Sequence, residues 1–220
     1  MTDLESPRVR CSAAPGGRPG RRPKRGHGVP AGDLRTPATY DPEYRIWMVA
    51  HLARLLDRGP DPVLLSLGRG TGPVEAELAR AGHRVLAVDV PPEAVDPARR
   101  QGVDVVRADV PDRTLPSGAR IVVYADGLGC RPNHPTRGLR SILERVRAWS
   151  PAGTGGLVVA DDPPRAGRAL GKVPGLSWLA ALALADEAEL AGFRDVTAAT
   201  IGYLHPRTGP RERAIVTAHH

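Results

Sequence analysis

Residues 63–72 read Val-Leu-Leu-Ser-Leu-Gly-Arg-Gly-Thr-Gly, and this stretch decides the fold. An apolar run ends in glycines at 68, 70 and 72, and a helical pattern opens at Pro73. That order reads as a buried strand, a sharp turn and a helix starting over a ligand. Glycine at alternate positions lets the backbone pass through φ > 0 and leaves bare peptide for a ligand to approach. Pro73 suits the first helical turn, where no amide hydrogen is needed. The spacing also separates ligands. A dinucleotide fingerprint asks for glycine at 68, 70 and 73, but position 73 is proline.

Strands and helices alternate outward from this loop. Upstream, Asp41-Pro42 is a capping acid followed by proline at the first helical position, just after Tyr40, where order is expected to begin. Ile46, Val49, Ala50, Ala53 and Leu56 recur at helical spacing, and Gly59 supplies a stop. Pro62–Leu67 is the first strand, and Val74, Leu78 and Ala81 mark the next helix. Further strands are expected at Arg84–Val90, Val103–Arg107, Ala119–Ala125 and Gly156–Ala160. Between them lie a short helix over 93–101, interrupted by Pro97, and an amphipathic helix carrying Leu139, Ile142, Leu143, Val146 and Trp149. A helix near 178–191 and two last strands, Val196–Tyr203 and Arg213–Ala218, complete the series. Such alternation implies a parallel sheet covered on both faces. The short link between the last two strands permits only an antiparallel pair. The expected fold is therefore an α/β three-layer sandwich whose seven-stranded, mostly parallel sheet ends in an antiparallel strand.

Charge and cysteine content bound the function. The 220-residue chain carries a net charge of +7 and 2 cysteines, Cys11 and Cys130, with no short-range metal-ligand pattern. This argues against a disulfide scaffold and fits a reducing compartment, so a cytoplasmic protein is expected. No apolar run reaches membrane-spanning length, and no secretory signal is recognisable. Residues 1–36 hold 8 Lys/Arg against 3 Asp/Glu, giving +5, so the other 184 residues carry only +2 from 23 basic and 21 acidic side chains. With 11 Gly or Pro among its 36 residues, this tail reads as disordered. It is either a basic arm for nucleic acid or an acidic partner, or an ordinary terminus. The expected domain is 37–220.

The stretch Leu65-Ser-Leu-Gly-Arg-Gly-Thr-Gly72 resembles the first motif of the class I S-adenosylmethionine-dependent methyltransferases, and the downstream order fits that family from about Tyr40 to Ala218. The resemblance implies S-adenosylmethionine as cofactor, bound at the carboxyl ends of the strands near the switch in strand order. The second, third and fourth strands end near Asp89, Asp109 and Asp126, so separate segments converge with the glycine loop on one crevice. Asp89 follows Gly72 by 17 residues, and a carboxylate there accepts two hydrogen bonds from a ribose diol. The family resemblance gives Asp89 that role. It also places Asp109 at the adenine amine, with Val90 and Val110 flanking the ring. Asp126 would lie near the methionine moiety or the acceptor.

Two positions depart from the family pattern. Related enzymes usually carry an acid two residues before the first glycine, where it helps bind the cofactor's ammonium group. Ser66 stands there in this chain, leaving affinity lower or another acid to substitute. Arg69 is larger and more charged than the small residues common in that loop, and either pairs with the cofactor carboxylate or points to solvent. The candidate cofactor residues are thus Ser66, Gly68, Arg69, Gly70, Thr71, Gly72, Asp89, Val90, Asp109, Val110 and Asp126. Asp162-Pro-Pro-Arg165 follows the fifth strand and lacks a final aromatic ring, so it reads as loop punctuation rather than an amino-methylating signature. His134, before Pro135 at a helix start, is the candidate general base for a hydroxyl acceptor, or else a plain helix cap.

Methyl transfer tolerates the lack of an obvious base, because holding a nucleophile in line with an electrophilic methyl supplies much of the acceleration. With aromatics at 4% and no interleaving of basic and aromatic residues in the domain, a base-stacking surface is not evident, which favours a small-molecule acceptor over nucleic acid. O- and N-methylation both remain open. Two other readings share such a sheet. One is a nicotinamide-dependent reductase, which Pro73 and the antiparallel finish oppose. The other is a non-catalytic member binding a ligand or partner, which Ser66 and Arg69 keep open.

Overall fold

The computed structural model describes Thr39 and residues 41–67, 72–88, 92–106, 120–126, 135–149, 155–161, 181–205 and 209–220. In chain order its elements are α1 (Pro42–Leu56), β1 (Val63–Leu67), α2 (Pro73–Arg80), β2 (Arg84–Val88), α3 (Pro92–Arg100), β3 (Asp104–Val106), β4 (Ile121–Asp126), α4 (Pro135–Trp149), β5 (Gly156–Asp161), α5 (Ala181–Leu190), β6 (Arg194–His205) and β7 (Gly209–His219).

The seven strands form one sheet in the order β3-β2-β1-β4-β5-β7-β6. Strands β1 to β5 pair in parallel, whereas β7 is antiparallel to both β5 and β6. The expected three-layer sandwich is present, with the antiparallel strand inserted between β5 and the edge strand β6. Strand order reverses between β1 and β4, which fixes the switch point at the ends of Leu67 and Asp126. All five residues of β1 are buried, as a central strand covered on both faces requires.

Two apolar layers cover the sheet. On one face Tyr44, Met48 and Leu52 of α1 and Val74 and Leu78 of α2 pack with Leu64, Val122 and Ile215. On the other, Leu139, Leu143 and Val146 of α4 and Leu184 and Ala188 of α5 pack with Leu65, Val123 and Val216. The alternation of Leu64 and Leu65 between layers follows from the two-residue period of a strand. Asp41 caps α1 as expected, its carboxylate accepting from the Tyr44 amide at 3.0 Å. Across the helices, Arg45 pairs with Glu77 at 2.6 Å, and Arg140 makes a two-pronged pair with Glu187 at 2.9 and 3.0 Å.

The buried face of α1 differs from expectation. Tyr44, Met48, Leu52, Leu55 and Leu56 are buried, while Ile46 and Ala50 face outward. This helix is apolar almost all round, so spacing alone does not choose a stripe. The choice falls to the set led by Tyr44 and Met48, which lies over the sheet. Ala81, just past the end of α2, is likewise exposed, and Glu75 within the helix is buried.

Strand and helix bounds also shift. The last hairpin is longer than expected, because β6 runs through His205 and β7 resumes at Gly209, where φ of +74° is a conformation glycine adopts freely. The fourth strand starts at Ile121 and includes Asp126, and α5 starts at Ala181. Pro97 sits inside α3. Asp89, Val90 and Arg107, expected at strand ends, lie outside the described residues.

Candidate functional site

The carboxyl ends of β1 and β4 meet at the switch point, and a buried polar cluster gathers there on the α1–α2 face. Ser66 is the fourth residue of β1, with its hydroxyl on the same face as Leu64. It donates a 2.7 Å hydrogen bond to Oε1 of Glu75, in the first turn of α2. Both side chains are buried, Ser66 at 1% and Glu75 at 4% exposure. Oε2 of Glu75 has no hydrogen-bond partner among the described residues. Burial pushes the Glu75 carboxyl above its ordinary range, against the opposing pull of the Ser66 hydroxyl and nearby backbone amides; Asp126 adds to the rise.

Gly72 caps α2 and faces this carboxylate. A Cβ built on it would lie 2.7 Å from Oε2 of Glu75, so a side chain at 72 would occupy the space before that oxygen. Glycine is needed here for close approach rather than for an unusual φ, which is −75°.

Across the switch point, Asp126 ends β4 and forms an ion pair with Arg213 of β7. The β6–β7 hairpin runs past the end of β5, since Ala214 is already opposite Asp161, and so carries Arg211 and Arg213 over the carboxyl edge. Both arginines are buried. The Arg213 guanidinium lies 5.7 Å from the Tyr44 ring centre, and Tyr44 is 5.5 Å from Tyr203. Burial raises both the Tyr44 and Tyr124 phenols above their ordinary value, so each keeps its proton. The Tyr124 hydroxyl has no hydrogen-bond partner among the described residues.

Of the expected cofactor residues, the structure thus places Ser66, Gly72 and Asp126 near one another at the switch point between β1 and β4. Gly68, Arg69, Gly70, Thr71, Asp89, Val90, Asp109, Val110 and the candidate base His134 lie outside the described residues. Among the described residues, no group of three His, Cys, Asp or Glu is placed to hold a metal ion, and no helix is long and apolar enough to cross a membrane.

Comparison with known proteins bears on the same architecture. The tabtoxin biosynthesis enzyme of Pseudomonas amygdali pv. tabaci is 35% identical over 193 residues, covering 84% of this chain and 75% of that protein. The chain belongs to that enzyme's family. Its fold is that of the class I S-adenosylmethionine-dependent methyltransferases. Human N-acetylserotonin methyltransferase, solved in complex with SAM, matches with a TM-score of 0.52 and 20% identity over 87% of this chain, which spans only 60% of the human one. The 1,6-didemethyltoxoflavin-N1-methyltransferase of Burkholderia thailandensis, with 1,6-didemethyltoxoflavin and S-adenosylhomocysteine bound, matches with a TM-score of 0.54 and 24% identity. That match covers 79% of this chain and 75% of the other. No protein-family model matches the chain.

Within this methyltransferase fold, sequence reading missed Glu75, Tyr124, Arg211 and Arg213. Glu75 sits between Val74 and Ala76 in an apolar helix face, and a charged residue amid buried neighbours is the signal that would have found it. The arginines left no such signal, because Arg211 and Arg213 alternate with Glu212 in what reads as a solvated hairpin.

Proposed function

We propose that this protein transfers the methyl group of S-adenosylmethionine to an oxygen or nitrogen of a small-molecule acceptor. The observation that carries this reading is the switch point itself. There, Gly72 at the start of α2, Asp126 at the end of β4 and the buried Glu75 carboxylate held by Ser66 lie together at the carboxyl ends of the strands, where open parallel sheets bind ligands. Those residues fit a ligand with a nucleoside and an ammonium-bearing end.

When bound, the cofactor supplies an electrophilic sulfonium methyl. The chain's own residues bind and orient. The loop from Gly68 to Gly72, with Arg69 and Thr71, offers backbone and the cofactor's carboxylate partner. Asp89 takes the ribose diol, and Asp109 with Val90 and Val110 takes the adenine. Asp126, held by Arg213, faces the reacting end, and the buried phenols of Tyr44 and Tyr124 beneath it remain protonated. His134 takes the acceptor's proton where the acceptor is a hydroxyl.

Acceptor class is supported by the relatives. One belongs to tabtoxin biosynthesis, and two neighbours are named for methylating N-acetylserotonin and 1,6-didemethyltoxoflavin. A biosynthetic metabolite is the acceptor class that fits, and the low cysteine content supports a cytoplasmic setting. Residues 1–36 form a basic tail on a domain of residues 37–220, and any nucleic-acid contact belongs to that tail.

Calorimetric titration with S-adenosylmethionine and, separately, with a reduced nicotinamide dinucleotide tests the reading. Saturable binding of the first alone supports it, and preference for the second overturns it. Methyl transfer is then read by mass spectrometry across a metabolite panel. Binding without any methylated product favours a non-catalytic member of the fold. RNA binding that weakens with salt and vanishes on deleting residues 1–36 would instead favour nucleic acid.

A further inference from the structure

Glu75 is a buried carboxylate beside the Gly72 backbone, with one oxygen anchored by a side chain and the other without a side-chain partner among the described residues. Ser66 holds Oε1 at 2.7 Å, and Oε2 has no hydrogen-bond partner among the described residues. A buried polar atom left in this state costs roughly 1–3 kcal/mol, and more for a charged group. Such an atom calls for an explanation, and a bound ligand is one that places a donor against it. The space before Oε2 is bounded by Gly72, whose missing side chain keeps it open. Arg45, the cation of α1 near this helix, is drawn to Glu77 instead, and Arg213 is drawn to Asp126. No cation among the described residues forms an ion pair with Glu75.

We infer that Glu75 is the anionic acceptor for a primary ammonium group, the α-ammonium of the cofactor's amino-acid end, with Ser66 aiming its carboxylate. This rests on the proposed use of S-adenosylmethionine and assigns a residue to it. Ser66 does not supply the charge at the end of β1; it positions a charge delivered from α2. An ammonium donates up to three hydrogen bonds, and a buried carboxylate oxygen takes one of them as a charge-assisted bond. The raised Glu75 pKa adds a consequence. The carboxyl holds a proton in the free protein more readily than an ordinary glutamate, and an arriving ammonium favours the ionised form. At a pH where the free carboxyl holds its proton, ligand binding therefore releases it.

Two ligands separate the amino-acid end from the nucleoside: S-adenosylhomocysteine, which has the ammonium, and 5′-methylthioadenosine, which lacks it. Calorimetry on the full chain in buffers of different ionisation enthalpy reads affinity and proton release together. The wild type is expected to release protons with S-adenosylhomocysteine and not with 5′-methylthioadenosine. Glu75→Gln is expected to weaken S-adenosylhomocysteine by about 10- to 100-fold, abolish the proton release, and leave 5′-methylthioadenosine unchanged. Ser66→Ala, which keeps the charge but loses its anchor, is expected to fall between the two. Equal affinity of the wild type and Glu75→Gln for S-adenosylhomocysteine overturns the inference while the methyltransferase reading stands. If the wild type binds neither ligand, that reading itself fails. Should Glu75→Gln not fold, Ser66→Ala decides, and an affinity for S-adenosylhomocysteine unchanged in that variant overturns the inference.

Discussion

The hydroxyl of Ser66 donates to Oε1 of Glu75 across the turn that joins β1 to α2, a buried contact of 2.7 Å between residues nine apart. Removing the donor with Ser66→Ala leaves the carboxylate without a side-chain partner in a buried place. We expect a loss of roughly 1–3 kcal/mol in urea unfolding.

Glu75 titration makes stability depend on pH. Its carboxyl is raised above 4.5 by burial, so the folded protein binds a proton that the unfolded chain gives up. The favourable contribution is fully present below the unfolded value and is lost as pH climbs from 4.5 toward the raised folded one. Glu75→Gln removes this slope. The variant is expected to gain stability over the wild type as pH rises through that window, read as the difference in urea midpoint. A stabilised variant with weaker ligand binding is the trade expected of a functional buried charge.

His51 works in the opposite direction. Burial, with Arg54 and Arg58 nearby, lowers its pKa from 6.5 to about 4, and the ring lies 2.9 Å from the Thr217 hydroxyl and stacks on Trp47. The unfolded chain takes up a proton that the folded protein resists, so stability falls as pH drops from 6.5 to about 4 and levels off below. Because the ring is partly exposed, solvent screening limits the loss to ~1–2 kcal/mol. His51→Gln is expected to flatten the thermal-unfolding profile over that range.

The Asp126–Arg213 pair joins β4 to the hairpin with Arg213 buried. Asp126→Ala strips a buried guanidinium of its carboxylate and is expected to cost about 3 kcal/mol in urea unfolding. Adding Arg213→Met removes the buried charge as well, so the double variant should be more stable than Asp126→Ala alone.

Helix α1 gives a test of packing. Met48 is fully buried and Ile46 is 63% exposed. Met48→Ala should cost about 2–5 kcal/mol, whereas Ile46→Ala should stay within about 0.5 kcal/mol.

That helix also shows where sequence reading stops. Alternating strands and helices, the cap at Asp41 and the closing hairpin were legible because each has a local cause: periodicity, a capping side chain, a short link. The stripe of α1 was not, since Ile46, Val49 and Ala50 are as apolar as Met48 and Leu52, and only the sheet beneath them chooses. At the site, Asp126 at the end of β4 was legible by spacing, while residues 68–71, Asp89 and Asp109 lie outside the described residues. Ser66 was legible as a departure, with a substitute acid left open. The Glu75 contact depends on how a helix turn is set against a strand, and the Asp126–Arg213 pair spans 87 residues. Neither has a local signature.

Hydrogen exchange with and without saturating S-adenosylhomocysteine tests the central claim most directly, because it reports where a ligand sits. We predict slowed exchange in peptides spanning residues 63–80 and 121–130, at the ends of β1 and β4 and the start of α2. No slowing there, or slowing confined to α4 and α5 on the opposite face, would contradict a cofactor site at the switch point.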